Sequence, residues 1–286
     1  MSTRLHNEHP ALRAAWHPVA RSEEITTDPA AVMLLGEPWV LVRMPELVAF
    51  VDQCPHRGAP LSAGAHVAAG LQCGYHGWCF DRDGACTRLP ALASSDRIPA
   101  RFSLRAPAGV IERYGIVWIA PDPPRAPFPE IDGFGDPMNH TVLLQPRRTS
   151  ASASAATDNF LDVAHFPFLH TATFAVGDTE PVGDLQVIRS EWTIAFENRA
   201  PFLHADGVAD SSLQVYMCTA PFGLQLRMTY SASEKIDTIV FFAQPERRDS
   251  TRLYKLLVCG GEVRDQHEID EIAKFETVVL DEDLAM

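Results

Sequence analysis

The residues best equipped for chemistry are six cysteines, at positions 54, 73, 79, 86, 218 and 259, and the histidines spaced with two of them. Cys54-Pro55-His56 is followed, after sixteen intervening residues, by Cys73-Gly74-Tyr75-His76, each in a glycine-containing turn after a β segment. Thiolate and imidazole are ligands for zinc or for an iron–sulfur cluster, and a set of two cysteines and two histidines suits either. Zinc fingers of that composition use a cysteine pair and then a histidine pair. Here each arm supplies one of each, the arrangement required when two irons take different ligand pairs. Cys79, Cys86, Cys218 and Cys259 read as inert buried thiols.

A second constellation is Asp158-Asn159-Phe160-Leu161-Asp162-Val163-Ala164-His165-Phe166-Pro167-Phe168-Leu169-His170. A non-haem iron(II) site needs two histidines, one carboxylate and vacant positions for O₂. On an ideal helix His165 and His170 diverge by about 140°, too far to share a metal. Pro167 lacks an N–H and clashes with the preceding turn, so the helix is expected to end or kink between the two histidines and let them converge. Asp162 then keeps to the face of His165.

The third ligand must be an acid, and the last helical stretch offers Glu276, Asp281, Glu282 and Asp283. At about 100° per residue counted from Ile269, Asp283 and Glu276 fall in the apolar stripe of Ile272, Ala273, Val279 and Leu280, whereas Asp281 and Glu282 point away. An unpaired carboxylate on a buried face is costly, and a metal is one way to satisfy it.

At these residues the chain resembles a known family. Cys54-Pro55-His56-Arg57-Gly58-Ala59-Pro60-Leu61-Ser62 and Cys73-Gly74-Tyr75-His76-Gly77-Trp78 resemble the cluster loops of Rieske [2Fe–2S] proteins, over residues 16–120. Respiratory-complex members add a disulfide across these loops. The matching positions here are Ala59 and Tyr75, which implies a lower-potential cluster. Asn159, Asp162, His165 and His170 match the Asn-x-x-Asp-x-x-His-x-x-x-x-His motif of Rieske non-haem iron oxygenase α subunits, in the group of dicamba monooxygenase and vanillate demethylase.

The resemblance implies that Cys54, His56, Cys73 and His76 hold the cluster and that His165 and His170 bind a mononuclear Fe(II). It places Asn159 and Asp162 among the catalytic residues, Asp162 bridging to a Rieske histidine of the neighbouring subunit. The family carries its acid in a Glu-Asp dipeptide on the last helix, which matches Glu282-Asp283 and selects Asp283, with Glu276 as rival. It further implies an α₃ homotrimer. The expected activity is oxidation of a small aromatic or apolar substrate with O₂, by hydroxylation, demethylation or dihydroxylation. No Gly-x-Gly-x-x-Gly follows a strand, so electrons from NAD(P)H are expected through a separate reductase, with or without a ferredoxin. The readings in other classes are a Rieske-type electron carrier and a structural zinc protein.

The chain has 286 residues and a net charge of −13, which leads to an expectation of two domains. Residues 1–120 hold eleven acids and eleven bases; residues 121–286 hold 26 acids and 13 bases. An acidic surface repels phosphate backbones, so nucleic-acid binding is disfavoured, while an electron-transfer partner with a basic face would be attracted. No apolar run reaches the roughly 18 residues of a membrane span, and no secretory segment opens the chain, so a soluble cytoplasmic protein is expected.

The expected fold is α+β: an N-terminal all-β Rieske domain (1–120), a proline-rich connector (121–135) and a catalytic domain (136–286) with an antiparallel sheet flanked by helices, of the helix-grip type. Strands are expected at 32–35, 40–44, 47–52, 79–81 and 116–120, then at 185–196, 212–220, 223–231, 235–243 and 251–259. Helices are expected at 155–165 and 265–284, the second capped by Asp265 with Glu268 three residues on. Neither Gly nor Pro stops it, so the natural helix is expected to continue beyond Met286. Phe160, Phe174, Phe202, Leu203, Gln214, Tyr216, Met217, Phe222 and Leu224 are candidate pocket walls, with Asn198 and His204 to orient a polar group.

Overall fold

The structure, a computed structural model, describes residues 5–93, 97–170, 173, 183–203 and 209–285, with backbone alone at 200–203, 209 and 210. The chain forms two compact units, one of Asn7–Arg125 with Gln244–Arg248, the other of Met1–His6, Ala126–Ala243 and Asp249–Met286. Among the described residues no helix is long and apolar enough to cross a membrane.

The first unit is all-β, from β1 (His17–Arg21), β2 (Ala30–Leu34), β3 (Glu37–Met44), β4 (Glu46–Val51), β5 (Ala65–Val67), β6 (Gly70–Gln72), β7 (Cys79–Phe80), β8 (Cys86–Arg88), β9 (Gly109–Arg113) and β10 (Ile116–Ala120). They make three small antiparallel sheets, β1-β10-β9, β2-β3-β4 and β5-β6-β7-β8. Val40, Val42, Phe50, Leu61, Leu71 and Phe80 form the core under the β4–β5 and β6–β7 loops, and Cys54 and Cys73 are buried in it. The segment Gln244–Arg248 joins this unit through its backbone: Leu35 and Gly36 donate to the carbonyls of Pro245 and Glu246 at 2.7 and 2.8 Å.

The second unit continues with β11 (His140–Leu143), β12 (Arg147–Thr149), α1 (Ala153–Leu161), α2 (Phe166–Leu169), β13 (Ile188–Arg189), β14 (Thr193–Leu203), β15 (Ala209–Thr219), β16 (Gly223–Tyr230), β17 (Ile236–Arg247), β18 (Ser250–Gly260) and α3 (Gln266–Asp283). Its sheet runs β11-β18-β17-β16-β15-β14-β13, with β12 also on β18. The register aligns Phe196, Tyr216, Leu226 and Ile239 in one row. Because side chains alternate between faces, this row is a continuous apolar face, packed with Ile269 of α3 and with Phe160 and Leu161 of α1.

Two helices differ from expectation. α1 stops at Leu161, and Asp162 is extended at ψ 109°. The Asp162 carboxylate takes the Ala164 N–H at 2.8 Å, a local bond that competes with the next helical turn. The break therefore precedes both histidines. Pro167 sits in the first turn of α2, where its missing N–H costs nothing, so it starts a helix where an interruption was expected.

In α3, Asp265 accepts the Glu268 N–H at 2.8 Å, as its cap pattern predicts. Lys255 on β18 pairs with Glu276 at 2.6 Å and donates to the Glu276 carbonyl at 2.9 Å. Arg147 pairs with Asp281 at 2.8 Å and Lys235 with Glu268 at 2.7 Å. The buried Lys255–Glu276 pair adds to the apolar packing that holds the helix whose last turn carries Glu282 and Asp283.

Candidate metal centres

The break after α1 and the single turn of α2 bring His165 and His170 together. Their Nε2 atoms are 3.2 Å apart. Asp283 arrives from the end of α3 with Oδ1 3.2 Å from His170 Nε2 and 3.6 Å from His165 Nε2. The three donor atoms lie within 4.8 Å of one another, a grouping that could hold a metal ion. His170 is fully buried, and the His165 and Asp283 side chains are 16% and 20% exposed, so one side stays open. Two imidazoles and a carboxylate with open positions form the donor set of a non-haem Fe(II) oxygenase.

Neighbouring side chains orient these donors. Asn159 Nδ2 donates to Asp283 Oδ1 at 3.1 Å. Glu282 Oε2 lies 2.7 Å from His170 Nδ1, and Thr173 donates to Glu282 Oε1 at 2.5 Å. A carboxylate only accepts, so His170 Nδ1 carries the proton and Nε2 turns a lone pair toward the other donors. The bonds from Thr173 and then from His170 hold the Glu282 carboxyl below its ordinary pKa. Helical angles placed Glu282 away from the site. That reading measures the stripe facing the sheet, whereas the last turn of α3 meets the α1–α2 segment, and Glu282 faces that segment.

Glu276 is buried against Lys255 and is one helix face with Asp283 but two turns away; Asp281 is held by Arg147. Asp162 lies 3.9 Å from His165 Nδ1, beyond hydrogen-bond reach, and that nitrogen is buried with no partner among the described residues. The Asp162 side chain is 52% exposed.

Of the candidate walls, Phe160 packs at 5.6 Å from Phe241 and 6.3 Å from Tyr216, between ring centroids. Gln214, Tyr216 and Leu224 share the helix-covered sheet face with Phe196, by register. Asn198 donates to Gln214 Oε1 at 3.1 Å, giving that face a polar pair beside the aromatic rings. Met217 alternates to the opposite face, and Phe222 lies in the turn between β15 and β16. Phe174 and His204, and the side chains of Phe202 and Leu203, lie outside the described residues.

In the other unit the two cysteine loops fold alike. Cys54 N–H donates to Ala59 O at 2.8 Å and Gly58 N–H to Cys54 O at 2.9 Å; Cys73 N–H donates to Trp78 O at 2.8 Å and Gly77 N–H to Cys73 O at 3.0 Å. Gly58 and Gly77 sit at φ 71° and 69°, which L side chains rarely adopt. Asp52 clamps the first loop through Ser62 N–H at 2.7 Å.

Cys54 and Cys73 are buried, while His56 and His76 are exposed with ring centroids 4.6 Å apart. Burial pushes the Cys54 thiol up to about 11, with the Cys73 thiol adding to it. Such thiols become thiolates when a cation joins them. An inner thiol pair and an outer imidazole pair fit the unequal ligation of the two irons in a Rieske cluster.

Comparison with known proteins covers both units. Residues 15–106 match the model described as Rieske [2Fe-2S] domain, and residues 149–286 match the Vanillate O-demethylase oxygenase C-terminal domain. Methylxanthine N1-demethylase NdmA of Pseudomonas putida is 29% identical over 290 residues, spanning 98% of this chain and 81% of that protein. The oxygenase component of dicamba O-demethylase from Stenotrophomonas maltophilia is 36% identical over 167 residues, 56% of this chain and 48% of that protein. The solved structure of NdmA superposes with a TM-score of 0.81 at 28% identity, covering 98% of this chain and 82% of that one. An electron carrier or a zinc protein would not account for the second match. The chain therefore belongs to the Rieske non-haem iron oxygenases as an oxygenase (α) subunit, an enzyme that uses a Rieske [2Fe–2S] cluster and a mononuclear iron with electrons from a separate reductase.

Proposed function

We propose that this oxygenase removes a methyl group from nitrogen or oxygen on a small, planar aromatic or heteroaromatic substrate. The observation that carries this reading is the sheet face of Phe196 and Tyr216 with its Asn198–Gln214 amide pair: buried rings that would back an apolar site and amide groups that would bind the polar edge of a flat molecule. Likeness along the whole chain to an N-demethylase supports it. Burial raises the Tyr216 phenol above its ordinary pKa, and its hydroxyl points at Gln214 Oε1, 3.5 Å away.

Cys54, His56, Cys73 and His76 hold the [2Fe–2S] cluster, and His165, His170 and Asp283 hold the mononuclear iron. When bound, the iron supplies O₂ activation, and a hydroxylated methyl leaves as formaldehyde. Asn159 fixes the Asp283 carboxylate, and Glu282 fixes the His170 tautomer. Phe160 and Phe241 keep water from the sheet side. The working form is a cytoplasmic homotrimer, in which Asp162 joins His165 to the partner subunit's His76. A reductase, directly or through a ferredoxin, supplies electrons from NAD(P)H. The domains are 1–120 for the cluster and 136–286 for the iron, joined by 121–135.

The test is a panel of N-methyl and O-methyl aromatics with NADH and a surrogate reductase. Formaldehyde equal to the demethylated product is expected. Ring cis-diols without formaldehyde would sink the reading.

Glu282→Gln gives a second check. The amide keeps the size but loses the charge that fixes the His170 proton, so mononuclear iron affinity should fall by roughly 10- to 100-fold. Iron titration measures it, with the Rieske spectrum unchanged; wild-type affinity would remove Glu282 from this role.

A further inference from the structure

The chain as a whole is acidic, yet the part around the cluster loops is not. Residues 53–110 contain six arginines (57, 82, 88, 97, 101 and 105), three aspartates and neither Lys nor Glu, a local net of +3 within a chain of −13. Arg82 and Arg105 pair with Glu46 and Glu37. Arg57, Arg88, Arg97 and Arg101 are exposed, and no carboxylate pairs with them among the described residues. Arg57 follows His56 directly. Arg88 lies opposite Cys79 in the β7–β8 pair, next to the second loop.

A stack of rings leads from this basic surface to His56. Trp78 lies on His56 with centroids 4.6 Å apart and planes 6° from parallel. Phe102 meets Trp78 edge-on at 5.0 Å, and the Arg101 guanidinium covers Phe102 at 4.8 Å. His76 belongs to a different exit, against the exposed ring of Tyr75 at 3.9 Å. Beside the stack, Cys54, Pro55, Ser103 and Arg105 border a recess of about 330 Å³. The cluster loops thus have two outlets, and the one through His56 ends at Arg101, which has no carboxylate partner among the described residues.

The geometry points to the Arg101–Phe102–Trp78–His56 face as the docking surface for the electron donor, and to a donor with an acidic [2Fe–2S] domain of the plant-ferredoxin type. This rests on the assignment of Cys54, His56, Cys73 and His76 to the cluster. The reduced donor centre loses one electron and the oxidised Rieske centre gains it; no bond or proton changes hands. Plant-type centres lie at lower potential than Rieske centres, so the transfer runs downhill. Opposite charge at the encounter face raises the association rate and makes it sensitive to salt. The net charge of −13 suggested a donor with a basic face; charge near the electron outlet decides the encounter, because salt screens more distant charges.

The test is stopped-flow reduction of the Rieske centre by a reduced acidic plant-type ferredoxin, and separately by dithionite, across a salt series. For the wild type, the ferredoxin rate should fall steeply with salt. Arg97→Glu/Arg101→Glu should slow it on the order of ten-fold at low salt and flatten the salt dependence, with dithionite reduction and the Rieske spin-resonance signal unchanged. Arg189→Glu, a charge reversal half as large and in the other unit, should leave the ferredoxin rate as it was. Phe102→Leu should slow reduction at saturating ferredoxin. The proposal is overturned if Arg97→Glu/Arg101→Glu keeps the wild-type rate and salt slope, if Arg189→Glu slows transfer equally, or if dithionite reduces the wild-type centre and ferredoxin does not. A protein with no Rieske signal in any variant would instead remove the cluster assignment beneath it.

Discussion

Asp283→Ala is expected to yield protein with a full Rieske spectrum, no mononuclear iron and turnover lower by about a thousand-fold, the equivalent of several kcal/mol of lost metal assistance. Asp283 is the one carboxylate among the three grouped donor atoms, and its oxygen lies 3.2 Å from His170 Nε2. Without it two neutral imidazoles face a dication. Asn159 also loses its acceptor, 3.1 Å away, but that amide is half-buried and can turn to water. The matched comparison is Glu276→Ala. It leaves the Lys255 ammonium buried without its carboxylate, 2.6 Å away in the native pair, which costs about 3–5 kcal/mol of stability. The protein that does fold should keep its mononuclear iron. Iron analysis with thermal unfolding of both variants decides the point: iron lost from Glu276→Ala and kept in Asp283→Ala would transfer the ligand role to Glu276.

Asp162→Asn is expected to keep both metal centres and dithionite reduction while turnover collapses by at least about a hundred-fold. The Asp162 side chain is half exposed, stands 3.9 Å from His165 Nδ1 and spends one oxygen on the Ala164 N–H. His165 Nδ1 has no partner among the described residues. A modest movement would let the carboxylate accept from this ring while its exposed oxygen accepts from the partner subunit's His76. An asparagine keeps the Ala164 bond through its carbonyl oxygen, so the local turn survives. Its amide offers a donor where both histidines need an acceptor. Cluster reoxidation in a single turnover, with substrate and O₂ present, is the measurement. A residue that only ends α1 would show lost stability and near-normal reoxidation, and that result would end the bridging role.

Both cysteine–histidine loops and the Asn159 to His170 motif were legible in the sequence, because each acts over a few residues. A thiol, an imidazole and a glycine at fixed spacing build the same turn wherever the chain places them. The cap of α3 was legible for the same reason: Asp265 and the Glu268 N–H are three residues apart. The break in α1 was read from Pro167, but Asp162 makes it earlier through its own side chain. Short polar residues compete with the helix as effectively as proline, and a sequence pattern weighs proline more heavily.

Tertiary structure alone decided which acids meet which partners. Glu276 and Asp283 share a helical face, so periodicity does not separate them and only the Glu282-Asp283 resemblance favours Asp283; in the fold Lys255, on a neighbouring strand, claims Glu276 and leaves Asp283 to the histidines. Glu282 reaches His170 across a separation of 112 residues, and Asn159 reaches Asp283 across 124. Such pairs are fixed by the packing of Ile269 and the α1 residues on the sheet, not by any local preference. Charge divides in the same way: the local +3 of residues 53–110 is already in the sequence beneath a total of −13, whereas the pairing of Arg82 with Glu46 and of Arg105 with Glu37, which leaves Arg57, Arg88, Arg97 and Arg101 without a carboxylate among the described residues, is set by the fold. The sequence by itself determined the donor atoms and the class of chemistry, since these depend on side-chain type and short spacing. The fold decided the pairing of charges, since Coulomb and hydrogen-bond energies depend on distance in space.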